Sequence, residues 1–129
     1  MTESQKRGWG RFTGKGDCEN CHADSELSDA TISFAANEGL INQDGGDQGF
    51  HNIGVRPTAN DLGRAGLGPN GVPWSVSGST KDRGAFKTPG LRNLKLTAPY
   101  FHNGGKATIA DVVDFYDRGG DFNNAEKAS

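Results

Sequence analysis

Hydrophobic positions are sparse in this chain, and one stretch spaces them with helical regularity. Ile109, Val112, Val113 and Tyr116 fall at i, i+3, i+4 and i+7, the spacing of one helical face. Thr108 precedes them as an N-cap. Asp111, three residues on, completes a capping box in the position where Glu is the stronger partner. Gly119-Gly120 ends the helix. The stripe predicts that Tyr116 points inward with its three apolar neighbours. A shorter helix is predicted over residues 5–12, where Trp9 and Phe12 share a face, and Gly14 and Gly16 break it. Residues 44–90 are turn-forming throughout: DGGDQG, RPT, GLGPNGVP, SGSTKDRG. A structureless stretch of this length argues against an ordinary compact domain. The chain has no internal repeat and no heptad pattern.

Composition sharpens the conflict. A chain of 129 residues predicts one domain over 1–129, yet only 33% of it is hydrophobic and 20 residues are glycine. Mean hydropathy is −0.69. Such a chain buries a thin core, so either disorder or a cofactor-dependent fold is expected. Net charge is −2, and the basic residues are scattered, which leaves no electrostatic footprint for nucleic acid. No apolar run approaches the roughly 20 residues that span a bilayer, so no transmembrane segment is expected. Residues 1–7 are polar and lack the apolar stretch of a signal peptide.

The two cysteines decide between those expectations. Cys18 and Cys21 sit three positions apart, which suits a disulfide, half a zinc site or haem attachment. A disulfide over so short a loop would stabilise little. Zinc needs two more ligands, and His51 and His102 are not paired at the required spacing. His22, immediately after the second cysteine, is what c-type haem attachment requires. Thioethers from Cys18 and Cys21 would fix the porphyrin edge and hold the His22 imidazole beneath the iron as proximal ligand. The haem also supplies the flat apolar body that the side chains lack.

The distal position is less determined. Small electron-transfer cytochromes complete the iron with methionine or histidine, but the one methionine here is Met1, at the chain end. His51, His102, Tyr100, Tyr116, a lysine or an open site remain. His51 in GFHNIG and His102 in PYFHNGG both suit hydrogen-bonded loop histidines. Tyr116 alone lies on a regular element, although a tyrosine there equally suits core packing with its hydroxyl bonded locally.

The segments CENCH, FHNIGV, DLGR, FKTPGLRN, LTAPYFHNG and VVDFYDRGG, from about residue 8 to residue 120, resemble the C-terminal haem domain of the bacterial di-haem cytochrome c peroxidase and MauG-like family. In ordinary members of that family a methionine after the APYFH segment binds iron. In the MauG branch the same position is an iron-binding tyrosine, and it matches Tyr116. The resemblance also implies an interdomain calcium ion, held in part by backbone carbonyls matching Thr97 and Pro99. Oxygen ligands suit that ion. Arg64 in DLGR and Arg92 in TPGLRN are candidate partners of haem propionates.

Family members carry two haem motifs and continue past the Gly-Gly into a further amphipathic helix, whereas this chain has one motif and ends at Ser129. The expectation is therefore half of a di-haem protein, partnered by a second haem domain or chain and by a redox protein. Haem attachment to such motifs takes place outside the cytoplasm, so the expected location is periplasmic. The expected fold is all-α, a cytochrome c-like haem domain with few helices and long Gly-rich loops. Electron transfer is the expected role of this chain. A peroxide-reactive enzyme centre and a structural haem subunit are the alternatives, because the resemblance puts the acid–base machinery for O–O cleavage in the other domain.

Overall fold

The computed structural model describes residues 1–128; Ser129, the last residue of the expected 1–129 domain, lies outside them. Helix α1 spans Glu3–Phe12. It starts ahead of the predicted residue 5 because Thr2 caps it: Gln5 N donates to Thr2 Oγ1 over 3.2 Å, and Thr2 N donates to Gln5 Oε1 over 2.7 Å. Trp9 and Phe12 do share a face, and their rings stack at 5.6 Å. Gly14 and Gly16 then turn the chain, since a Cβ on either would lie 2.8 or 2.7 Å from a carbonyl oxygen of α1.

Helix α2, Ile32–Glu38, carries no signal that the sequence reading used. It is started by Thr31, whose hydroxyl accepts from Phe34 N over 3.1 Å. Helix α3 spans Ile109–Asp117, with the predicted Thr108–Asp111 capping box in place. It ends in a Schellman arrangement: Gly120 N donates to Phe115 O over 2.9 Å and Gly119 N to Tyr116 O over 3.0 Å. Gly119 can take its φ of 76° because it has no side chain.

The all-α expectation is wrong. Strands β1 (Phe50–His51) and β2 (Phe86–Lys87) form a two-stranded antiparallel sheet, with Phe50 opposite Lys87 and His51 opposite Phe86. Three short α-helices, some 3-10 turns and extensive loop make up most of the remainder. The reason is that the glycine-rich 44–90 region cannot hold a helix, so its backbone groups pair across the chain instead. Arg64 N donates to Ala85 O over 2.8 Å, Gly84 N to Leu62 O over 2.9 Å and Thr88 N to Gly49 O over 2.9 Å. Gly63 permits this approach: at its φ of 53°, a Cβ would stand 2.3 Å from Ala85 O.

Buried polar groups hold that region together. Asp82 is fully buried and accepts from Asp47 N over 2.7 Å and from the hydroxyls of Ser75 and Ser77. Asp47 in turn accepts from Arg64 Nε and Ser77 N, each over 2.7 Å. Burial alone would raise the Asp47 pKa, but the bonds from Val76 N, Arg64 and Ser77 outweigh it and hold the value down. Among the described residues the fully buried apolar side chains are Ala85 and Phe115. Over most of the described length the tertiary contacts are therefore hydrogen bonds rather than apolar packing.

Candidate functional site

The turn after α1 delivers the cysteine segment. Asp17 takes a left-handed φ of 54°, and Cys18–Asn20 form a single 3-10 turn. His22 N then donates to Cys18 O over 2.9 Å. Both cysteines are half-buried free thiols. Burial raises the Cys18 pKa, and the nearby Asp17 carboxylate adds to the rise. Residues 23–29 loop back over the histidine, with Asp24 and Leu27 at positive φ of 61° and 53°. This brings Leu27 O to 3.0 Å from His22 Nδ1. Nδ1–H donates to that carbonyl, so the lone pair sits on Nε2, the arrangement of a metal-binding imidazole.

Helix α3 brings a second surface within electrostatic reach of the cysteines. Phe115 is its buried residue, packed against Phe101 at 4.6 Å between ring centres. The stripe expected to point into a protein core does not: Ile109 is 40% exposed, Val113 61% and Tyr116 47%. One residue, about 100° around the helix, separates the two faces. Phe115 takes the protein-packed side because it meets Phe101, which leaves Val113 and Tyr116 on an open apolar face. The crowding of surrounding atoms, followed by the charges of Cys21 and Cys18, pushes the Tyr116 pKa up to about 12, so its phenol lies within electrostatic reach of both sulfurs. Among the described residues its hydroxyl has no hydrogen-bond partner. Two free thiols, an imidazole with an open Nε2 and an apolar face carrying an unbonded phenol fit a porphyrin and its iron.

The remaining predicted residues divide. His51 Nε2 lies 2.7 Å from Asp29 Oδ2, and the donor atoms of Cys21, Asp29 and His51 fall within 4.8 Å of one another. Burial works to lower the His51 pKa, but the Asp29 hydrogen bond and the Cys21 sulfur overcome it and raise the value to about 10. His102 stacks on Phe86 at 3.5 Å and bonds Asp61 over 2.9 Å, which gives it a packing role at the sheet. Tyr100 Oη donates to Leu94 O over 2.8 Å. Arg64 binds Asp47 and lies 4.2 Å over the Phe50 ring. Arg92 donates to Ser25 O through Nε, over 3.1 Å, and through Nη2. Thr97 and Pro99 are exposed, and no hydrogen bond from the described residues reaches either carbonyl. Sequence reasoning missed Leu27 and Asp29. Neither lies in a recognisable motif, and each acts through a contact that only the folded loop makes.

This arrangement defines a haem-protein type of site: a Cys-x-x-Cys-His segment within electrostatic reach of an exposed apolar helix face, in a domain of loops. No family model matches the chain. It is 37% identical over 116 residues to the methylamine utilization protein MauG of Methylorubrum extorquens, covering 90% of this chain and 26% of that protein. It is 39% identical over 129 residues to the cytochrome-c peroxidase IdrP1 of a Pseudomonas species, covering 93% of this chain and 32% of that protein. The crystal structure of a MauG-like protein associated with microbial copper homeostasis superposes with a TM-score of 0.69 at 30% identity, covering 100% of this chain and 40% of the other. The chain belongs to the di-haem cytochrome c peroxidase and MauG-like family of haem-dependent proteins. It spans about a quarter to a third of the length of these curated relatives.

Proposed function

We propose that this chain is the C-terminal-type haem domain of a di-haem MauG-like or cytochrome c peroxidase system and serves there as an electron-transfer module. The observation that carries the reading is His22, whose Nδ1 is tied to Leu27 O and whose Nε2 is left as a metal ligand next to two free thiols. Cys18 and Cys21 would hold haem c through thioethers, and His22 would ligate its iron. Tyr116 would be a second iron ligand, favoured by a hydroxyl without a protein partner among the described residues, by its electrostatic coupling to both sulfurs and by its match to the tyrosine of the MauG branch. Bound haem supplies one-electron chemistry. A Tyr116 phenolate at the iron would exclude peroxide, and the chain would then relay electrons to and from a second haem domain or a redox protein.

Other residues serve the assembly. Arg64 and Arg92 lie in the segments that resemble propionate-binding positions, and the Arg92 contacts leave its Nη1 free. The Thr97 and Pro99 carbonyls are exposed oxygen donors suited to part of a calcium shell, completed by the second domain. Among the described residues no helix is long and apolar enough to cross a membrane, and the proposed location is the periplasm, where haem c is attached.

Covalent attachment is the test. The denatured chain should keep its Soret absorbance and exceed the polypeptide mass by one haem. Replacing Cys18 and Cys21 by alanine should release the cofactor. Haem lost to acid–acetone extraction from the unmodified chain would end this reading.

A further inference from the structure

The segment KTPGLRN lies against the 23–29 loop at three separate points. Ser28, 2% exposed, donates its hydroxyl to Thr88 O over 2.7 Å, a buried bond between residues 60 apart in sequence. Thr88 is itself anchored by the bond from its N to Gly49 O. Four residues later Arg92 reaches Ser25 O with Nε and Nη2, a charge-assisted fork on one carbonyl. Between them Gly90 lies so close that a Cβ there would stand 3.0 Å from Glu26 O. Ser25, Glu26 and Ser28 thus all touch the segment, and the residue they enclose is Leu27, whose carbonyl meets His22 Nδ1 at 3.0 Å.

Leu27 needs that support. Its φ of 53° is a left-handed conformation that a leucine adopts at a cost, and Asp24 at 61° adds a second such residue to the same loop. The loop's own bonds, Leu27 N to Asp24 O over 3.1 Å and Ser28 N to Ala23 O over 2.8 Å, close tight turns but do not fix it against the rest of the molecule. Contacts from residues 88–92 fix it at residues 25, 26 and 28, and the bond between Asp29 and His51 holds its last residue.

We infer that Ser28 and Arg92 are positioning residues for His22: they clamp the 23–29 loop so that the Leu27 carbonyl holds the imidazole in one orientation and tautomer. The inference deepens the proposed function and rests on its assignment of His22 to the haem iron. A carbonyl accepting from Nδ1–H makes the imidazole a stronger donor to a metal at Nε2, so the clamp sets ligand strength from a distance. Arg92 acts here through Ser25, whatever its free Nη1 meets.

The test uses the haem-loaded chain and the variants Ser28→Ala, Arg92→Gln, Arg92→Lys and Gly90→Ala, with Arg83→Gln as control. Arg83 is paired at the surface with Glu126 and touches no part of the loop. Covalent haem is first verified by extraction, and then two quantities are read: solvent exchange of the His22 Nδ1 proton by NMR, and the reduction potential. Ser28→Ala and Arg92→Gln should speed the exchange about tenfold, as loss of one hydrogen bond implies, and should raise the potential. Gly90→Ala should do the same by pushing the Glu26 carbonyl. Arg92→Lys should recover part of the effect, and Arg83→Gln should change neither. Arg92 is exposed, so its variants decide the matter even where Ser28→Ala fails to fold. Haem retained with unchanged exchange and potential overturns the clamp alone. Haem lost from the unmodified chain overturns the underlying function and the clamp with it.

Discussion

Replacing Tyr116 by phenylalanine removes one oxygen and keeps the ring that packs beside Phe101 and Phe115. The energy at stake follows from the phenol. To bind ferric iron as phenolate at pH 7, a free phenol of pKa about 10 must lose about 4 kcal/mol of protonation free energy. The rise to about 12 adds up to about 3 kcal/mol more. With the residue 47% exposed, solvent screening leaves about half of that addition. The share due to the cysteine charges also vanishes once the sulfurs are thioethers. Ferric iron must therefore supply about 5 kcal/mol, which is well within reach of a hard cation binding an anionic oxygen. Ferrous iron gains less from the same anion, so the wild-type potential should lie below that of a His/Met cytochrome. Tyr116→Phe should change the ferric absorption spectrum, raise the potential and let cyanide or peroxide bind. Tyr116→Met should move the centre further toward ordinary cytochrome behaviour. An unchanged ferric spectrum and potential in Tyr116→Phe would reduce Tyr116 to packing. His51 and His102 would then be the next ligands to test, and an open iron would favour the peroxide-reactive alternative.

The haem-free chain should be largely unfolded by circular dichroism, because ordering costs roughly 1–2 kcal/mol per residue and so few apolar side chains are fully buried; a cooperative melt without haem would contradict this. Calcium should bind the isolated chain weakly and more tightly after addition of the complementary haem domain, as titration calorimetry would read. Tight binding by the chain alone would mean that Thr97 and Pro99 are not half of a shared site. The His51–Asp29 pair predicts a pH effect of definite sign. Since folding raises the His51 pKa from 6.5 to about 10, its contribution is fully present below about pH 6.5 and is lost as pH rises through the folded value. Thioether formation removes the Cys21 part of the shift and leaves the Asp29 part. Asp29→Asn should flatten the alkaline fall in thermal stability of the haem-loaded chain, and an identical fall in both proteins would refute the coupling.

Local sequence determined the elements whose causes are local. Thr108, Asp111 and the Gly119-Gly120 pair bound α3 because caps and left-handed stops act within a few residues, and the Cys18–His22 spacing by itself points to haem attachment. Residues 88–92 and 97–104 were legible as family segments, though not as contacts. Tertiary structure alone decided the rest. The pairing of Phe50–His51 with Phe86–Lys87, which overturned the all-α expectation, depends on loop backbone meeting loop backbone some 35 residues away. No periodicity announces such a meeting. The direction of α3 was likewise undecided by its stripe, because Phe115 and Tyr116 are neighbours on the helix and either could face a core; Phe115 packed inward against Phe101 and Tyr116 stayed half exposed, within electrostatic reach of the cysteines. Leu27 and Asp29 gained their roles only when a loop folded back onto His22. A side chain's chemistry is written in its type, but the group it acts on is chosen by whichever distant backbone arrives beside it.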